Sequence, residues 1–214
     1  MANVMTDKRL KESDFEAAAK ELAVPTAAVK AVTEVESRGS GFYGDGRPVI
    51  LFERHIMYRR LKDAIGQQRA DAFVGSHPGV VNSTAGGYRG GVAECDRLDE
   101  AARIDRACAL ESASWGLFQI MGFHWQRLGF ASVQAFVDAM YRDEAAHLDA
   151  FVRFVKANLA IWAAMKAQDW VRFAKNYNGP NYAANKYDIK MAAAFERHDT
   201  EDARRQKGTR HGAR

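Results

Sequence analysis

The stretch Val29-Lys30-Ala31-Val32-Thr33-Glu34-Val35-Glu36-Ser37 sets the reading of this chain, because its apolar spacing is helical and its last residues are polar. Val29, Val32 and Glu36 follow the i, i+3, i+7 rule and share one helix face, while Glu34 points to the opposite side. A carboxyl pressed against apolar neighbours resists ionisation and keeps its proton near neutral pH, as a general acid must. Seventeen residues later Glu53 ends the run Arg47-Pro48-Val49-Ile50-Leu51-Phe52. Two carboxyls in unlike settings are what cleavage of a glycosidic bond requires. On this stretch alone, a helix that simply ends in a satisfied glutamate fits the pattern as well.

Outward from that helix the chain reads as mostly helical. Ser13-Asp14-Phe15-Glu16 has the form of a capping box and opens a helix to about Leu22; Val24-Pro25-Thr26 breaks it. Gly39, Gly41, Gly44 and Gly46 mark turns around a short extended pair, with residues 49–52 as the better strand. A helix is predicted from about Arg54 to Asp63, then a long glycine-rich loop over residues 75–91, a length common in functional lids. That loop has no Lys-Ser/Thr after its glycines and no preceding strand, so it is not a phosphate loop. From Ala93 to about Arg197 the pattern is helical, with breaks near Gly122, Gly129, Asp143 and Gly179-Pro180. The expectation is a mainly α, single globular domain with a small β-hairpin element, covering residues 1–198, followed by a flexible basic tail over residues 199–214.

Composition narrows the class. The 214 residues are 47% hydrophobic and 27% charged, enough for one good-sized core. Nothing approaches eighteen consecutive apolar residues, the length of a membrane span. The opening residues, Met1 to Lys8, lack the apolar core of a secretory signal, so the expectation is synthesis in the cytoplasm and another route to any site of action outside. Cys95 and Cys108, thirteen residues apart on what reads as one helix, are too distant to bridge and are expected as free thiols. His55, His77, His124 and His147 show no metal-ligand spacing, and no cofactor is expected.

The net charge of +4 comes from 31 basic and 27 acidic residues. Much of the excess lies in the tail, where Arg197, Arg204, Arg205, Lys207, Arg210 and Arg214 face three acids. Such a tail suits an anionic cell envelope, or is simply a solvated terminus. The basic residues are not interleaved with aromatics in a recognisable motif, which argues against nucleic acid.

Two further clusters carry chemistry. In Ser114-Trp115-Gly116-Leu117-Phe118-Gln119-Ile120 a glycine sits within an apolar helical pattern, where it costs about 1 kcal/mol against alanine. Close approach of a ligand or of another backbone would justify it. Gln119 both donates and accepts, as an acetamido group or sugar hydroxyl demands. Ala174-Lys175-Asn176-Tyr177-Asn178-Gly179-Pro180 is a helix end with a polar aromatic, which also reads as a plain helix stop. Trp115 and Trp125, at helical spacing, read as core.

A Glu-Ser at a helix end, then Ser-x-Gly-Leu-x-Gln-Ile, then a Tyr-Asn-Gly turn, in this order, resembles the lysozyme superfamily, notably goose-type lysozymes and soluble lytic transglycosylases. Residues 34–42 and 46–58, with Gly86-Gly87-Tyr88, residues 113–122 and residues 177–180, resemble more closely the N-acetylmuramidase domain of phage endolysins. The likeness runs from about Ser13 to His198.

That resemblance implies a lysozyme-like α+β fold and a monomeric, bacteriolytic glycosidase. Its substrate would be the glycan strand of peptidoglycan, cut at the β-1,4 bond after N-acetylmuramic acid. Glu36 would protonate the leaving oxygen. Glu53 is the candidate second carboxylate, unless it pairs with Arg54 or Arg59 or caps the following helix. About 5–5.5 Å between the two carboxyls would favour retention, and about 6.5–9.5 Å inversion. Ser37, Tyr88, Gly116, Gln119, Tyr177 and Asn178 are the candidate substrate-binding residues. The resemblance also implies that the enzyme waits in the host cytoplasm until a holin-like membrane protein opens the way to the wall. Two other readings stay open: a lytic transglycosylase leaving 1,6-anhydro-muramic ends, and a non-catalytic peptidoglycan-binding protein.

Overall fold

A computed structural model describes residues 8–37 and 39–211, with side chains as far as residue 205. In chain order the elements are α1 (Glu12–Leu22), α2 (Thr26–Glu36), β1 (Ile50–Phe52), α3 (Arg54–Ile65), α4 (Gln67–Ser76), α5 (Ala93–Ile104), α6 (Arg106–Glu111), β2 (Ala113–Trp115), β3 (Ile120–Met121), α7 (Val133–Arg142), α8 (Glu144–Lys156), α9 (Leu159–Lys166), α10 (Trp170–Asn178) and α11 (Tyr187–His211). The fold is mainly helical with a small antiparallel sheet, as the sequence indicates. None of the described helices is long and apolar enough to cross a membrane. The chain gathers into two compact units, one built from Lys8 and residues 40–147, the other from residues 9–39 and 148 onward.

In the second unit α2 is the central helix. Ala27, Ala28, Val29, Ala31 and Val32 are all buried, and so are Lys30 and Thr33 on its remaining faces. A helix covered on every side belongs in the middle of a bundle. Lys30 survives there because Nζ lies 2.6 Å from Glu12 on α1 and 2.6 Å from Asp202 on α11. Thr33 turns its hydroxyl back onto the Val29 carbonyl at 2.8 Å. The Trp162 indole donates to the Leu22 carbonyl at 2.7 Å, closing the C-terminal end of α1.

Two expectations are corrected in this unit. The start of α1 is not capped by Ser13: the N-cap is Lys11, whose amide donates to Asp14 at 2.7 Å. Of the segment expected as a tail, residues 199–211 continue α11, with Asp202 bonded to Lys30 and Arg205 2.9 Å from Glu12; residues 212–214 lie outside the described residues. The basic excess hid the acidic partners within that segment and the lysine that needs one of them.

In the first unit the sheet order is β1-β2-β3, antiparallel throughout. Ile50 pairs with Trp115, Leu51 with Ser114 and Phe52 with Ala113; Ser114 then pairs with Met121 and Trp115 with Ile120. The extended pair expected among the early glycines is a single bridge between Phe42 and Pro48. The helical reading of residues 113–121 is wrong, because they form a β-hairpin. Gly116 and Gln119, at φ +68° and +50°, make its turn, a conformation no helix accommodates. The single helix expected to carry both cysteines is broken at Asp105, whose side chain accepts the Cys108 amide at 2.8 Å and starts α6. Both cysteines are free and buried, and burial, then Asp105, pushes the Cys108 thiol up to about 12.

Trp115 is core, as expected, and donates to the Leu110 carbonyl at 3.1 Å. Gly122 follows β3 where the chain passes over the end of α6; a Cβ there would lie 2.1 Å from the Leu110 carbonyl oxygen. Backbone cannot yield as a side-chain tip does. Gly122→Ala should therefore destabilise this unit by about 3 kcal/mol, measured by urea unfolding, with helix content otherwise unchanged.

Candidate active site

The end of α2 places Glu36 among buried neighbours but with some access to solvent. Its two carboxyl oxygens accept from Asn178 Nδ2 at 3.0 and 3.1 Å, and no cation is bonded to it among the described residues. Burial raises the carboxyl above its usual range, and the Asn178 bond only partly offsets this. Glu34, facing the other way, is paired instead with Arg197 and His198. The opposite orientation of these two glutamates follows directly from helical spacing.

Tyr177 and Asn178 arrive together at the end of α10. Tyr177 stacks on Phe173, centroids 5.5 Å apart, and meets the edges of Phe151 and Phe154, each at 5.9 Å. Burial, then the nearby Glu36 carboxyl, raises its phenol far above the ordinary range. Asn178 Oδ1 is buried without a hydrogen-bond partner among the described residues. Ser37 caps the C-terminus of α2, its amide donating to the Thr33 carbonyl at 2.9 Å. Thus Glu36, Ser37, Tyr177 and Asn178 form one constellation.

Glu53 and Tyr88 form another, in the first unit. Glu53 directly follows β1 and is the N-cap residue of α3, but its side chain makes no capping bond. Its Oε2 instead accepts from the Tyr88 hydroxyl at 2.8 Å, and His55 Nδ1 lies 3.2 Å away without hydrogen-bond alignment. Arg54 does not pair with it: that guanidinium donates to the carbonyls of Pro78, Thr84 and Ala85 in the glycine-rich loop. Tyr88 is 47% exposed, and its phenol is raised by burial of its inner edge and by Glu53.

The glycine-rich loop is pinned, not free to swing as a lid. Besides Arg54, it is held by Glu94, whose Oε1 accepts from the Arg89 and Gly90 amides at 2.6 and 3.0 Å. Burial alone would raise the Glu94 carboxyl, but the Gly90, Arg89 and Phe52 amides, with Arg97, hold it below the usual range. Nothing in the composition marked Glu94 or Arg97; the i, i+3 acid–base spacing at the start of a helix was the available signal.

Gln119 and Gly116 are committed to the hairpin turn. The Gln119 amide accepts from Ser114 Oγ at 2.9 Å and donates to the carbonyls of Gly116 and Val49 at 2.8 and 3.2 Å. Gly116 lies against buried His147, and a Cβ there would come within 2.8 Å of the ring; at Gly41 it would come within 2.5 Å. His147 Nε2 donates to the Met140 carbonyl at 2.7 Å, which leaves Nδ1 to accept from the Leu117 amide at 3.1 Å. Burial lowers its pKa and keeps the imidazole neutral in this role. Sequence reading noted His147 only for lacking metal-ligand spacing; two distant glycines were the trace of its ring.

The raised Glu36 carboxyl has a measurable consequence for stability. A carboxyl whose folded pKa exceeds its unfolded value costs stability above the folded pKa, and that cost vanishes as pH falls below the unfolded value. Glu36→Gln should therefore raise the melting temperature at pH 7–8, and the difference should shrink toward zero near pH 4. Equal or lower stability of the variant at pH 7 would mean that the carboxyl is not destabilised there.

Comparison with known protein families gives a match to the N-acetylmuramidase family over residues 25–199. Among solved structures, the crystal structure of the Burkholderia AP3 phage endolysin superposes with a TM-score of 0.87 at 53% sequence identity, covering 90% of this chain and 73% of that one. No curated protein gives a match. The family match spans both constellations, from the start of α2 beyond the Tyr177-Asn178 helix end, and the chain belongs to the peptidoglycan-degrading N-acetylmuramidase family.

Proposed function

We propose that this protein hydrolyses the β-1,4 bond between N-acetylmuramic acid and N-acetylglucosamine, with Glu36 as general acid and Glu53 as second carboxylate. We further propose that it does so as a phage endolysin that lyses its bacterial host. The observation that carries the reading is Glu36: a carboxyl raised by burial, at the end of a buried helix, bonded by one neutral amide. Burial favours the protonated form of such a group, and among the described residues no cation is bonded to it to stabilise the ionised form. It would deliver that proton to the leaving glycosidic oxygen.

Glu53 has the opposite setting, since a hydroxyl donates to it and an imidazole stands beside it. Ionised, it would activate water or stabilise the oxocarbenium-like transition state. Tyr88 would hold that carboxylate in orientation. Ser37, Tyr177 and Asn178 flank the acid and would bind the sugar. Asn178 Oδ1 has no partner among the described residues, and a small turn of its side chain would let it accept from an acetamido N–H or a hydroxyl. Gly116 and Gln119 would contribute by setting the hairpin turn. The similarity to a Burkholderia phage endolysin supports the lytic role.

Digestion of purified peptidoglycan by wild type, Glu36→Gln and Glu53→Gln, with mass spectrometry of the products, tests the proposal. Reducing muramic-acid ends from wild type are expected, with at least a hundredfold loss in Glu36→Gln, the scale on which general acids contribute. A comparable loss is expected in Glu53→Gln. Anhydro-muramic ends, with Glu53→Gln still active, would make the enzyme a transglycosylase and leave Glu53 a structural role.

A further inference from the structure

Glu94 and Arg97, at the start of α5, form an ion pair of 2.6 Å with both side chains almost wholly buried. Burying two charges costs several kcal/mol each, and an apolar pair of similar volume would often be as stable or more so. The pair's contacts show what an apolar pair would lose. Glu94 Oε2 accepts the Phe52 amide at 3.1 Å, and Arg97 donates to the Phe52 carbonyl at 2.9 Å, so both backbone groups of Phe52 are held. Glu94 Oε1 takes the Arg89 and Gly90 amides, and Arg97 also donates to the Gly79 carbonyl at 2.8 Å. The Arg97 guanidinium lies 5.2 Å from the Phe52 ring centroid and 5.9 Å from that of Tyr88.

The two held segments end at the two partners of one hydrogen bond. Glu53 follows Phe52 and Tyr88 precedes Arg89, and the Tyr88 hydroxyl donates to Glu53 at 2.8 Å. We infer that Glu94 and Arg97 are a positioning pair for the reaction: one buried carboxylate sets the end of β1 and the glycine-rich loop in register, so that Tyr88 fixes the orientation of the Glu53 carboxylate. Neither residue touches substrate. The inference rests on the reading of Glu53 as the second carboxylate. Glutamine at position 94 keeps the shape but replaces one acceptor oxygen by an NH2, which faces either the Arg89 and Gly90 amides or the Phe52 amide and Arg97, so one of the two held segments is released without a cavity.

The test is a double-mutant cycle in kcat and KM on solubilised peptidoglycan, using wild type, Glu94→Gln, Tyr88→Phe and the double variant, each corrected for folded fraction by circular dichroism. Each single change should lower kcat about tenfold with KM within about twofold, and the double variant should be no slower than the slower single one. Independent, multiplying losses would overturn the inference, because a merely structural pair has no reason to couple to one hydroxyl. If Glu94→Gln fails to fold, hydrogen exchange on the wild type decides. The Phe52, Arg89 and Gly90 amides should exchange at a common, slow rate; loop amides exchanging far faster than that of Phe52 would show that Glu94 does not hold the loop. Wild-type kcat in Glu53→Gln would remove the underlying reading and this inference with it. Loss of activity in Glu53→Gln alongside independent losses in the cycle would remove the inference alone.

Discussion

The acid at position 36 depends on one constraint: the helix that carries it is enclosed on every face from Ala27 to Thr33. Alanines and valines make up most of the buried surface of α2, and its one buried cation is neutralised by acids from α1 and α11. Lys30 is therefore spoken for, and its charge is not spent on Glu36. What remains at the helix end is a carboxyl in a poorly polarisable setting, relieved only by the amide of Asn178. Burial favours the protonated acid, and among the described residues no cation is bonded to oppose it. The aromatic packing around Tyr177 fixes the end of α10, from which Asn178 reaches that carboxyl.

The other carboxyl is built on a different plan. Glu53 stands at the junction of a strand and a helix, and polar groups reach it from a loop and from its own helix. The two carboxyls thus have divergent surroundings, one set by a helix end and a neutral amide, the other by a hydroxyl and an imidazole. Glu94 is buried in this unit beside Arg97, and it also faces three backbone amides, which donate without bringing a net charge of their own. That arrangement leaves the glycine-rich segment short of conformational freedom despite its composition.

Much of this was legible in the residues. Helical period placed Glu36 and Glu34 on opposite sides, and the strand ending in Glu53 and the helix end at Tyr177-Asn178 were both read from local pattern. The hairpin was not, because the spacing of Trp115, Leu117, Phe118 and Ile120 satisfies a helical template as well as a tight turn. Only the left-handed backbone at Gly116 and Gln119 decides between them, and what imposes it includes a histidine thirty residues downstream. Glu94 and Arg97 were overlooked for a related reason. Charged residues on a helix normally read as a solvated face, and their burial comes from strand and loop segments distant in sequence. The continuation of α11 depends likewise on Asp202 finding Lys30, 172 residues earlier.

The cysteines lend the molecule a chemical indifference. Burial pushes the Cys108 thiol up to about 12 and raises Cys95 in the same direction, so both are held toward the thiol form at neutral pH. Thiolate is the species that attacks disulfides, peroxides and alkylating agents. Buried and held in the thiol form, both side chains are shielded from the reactions that an exposed cysteine invites.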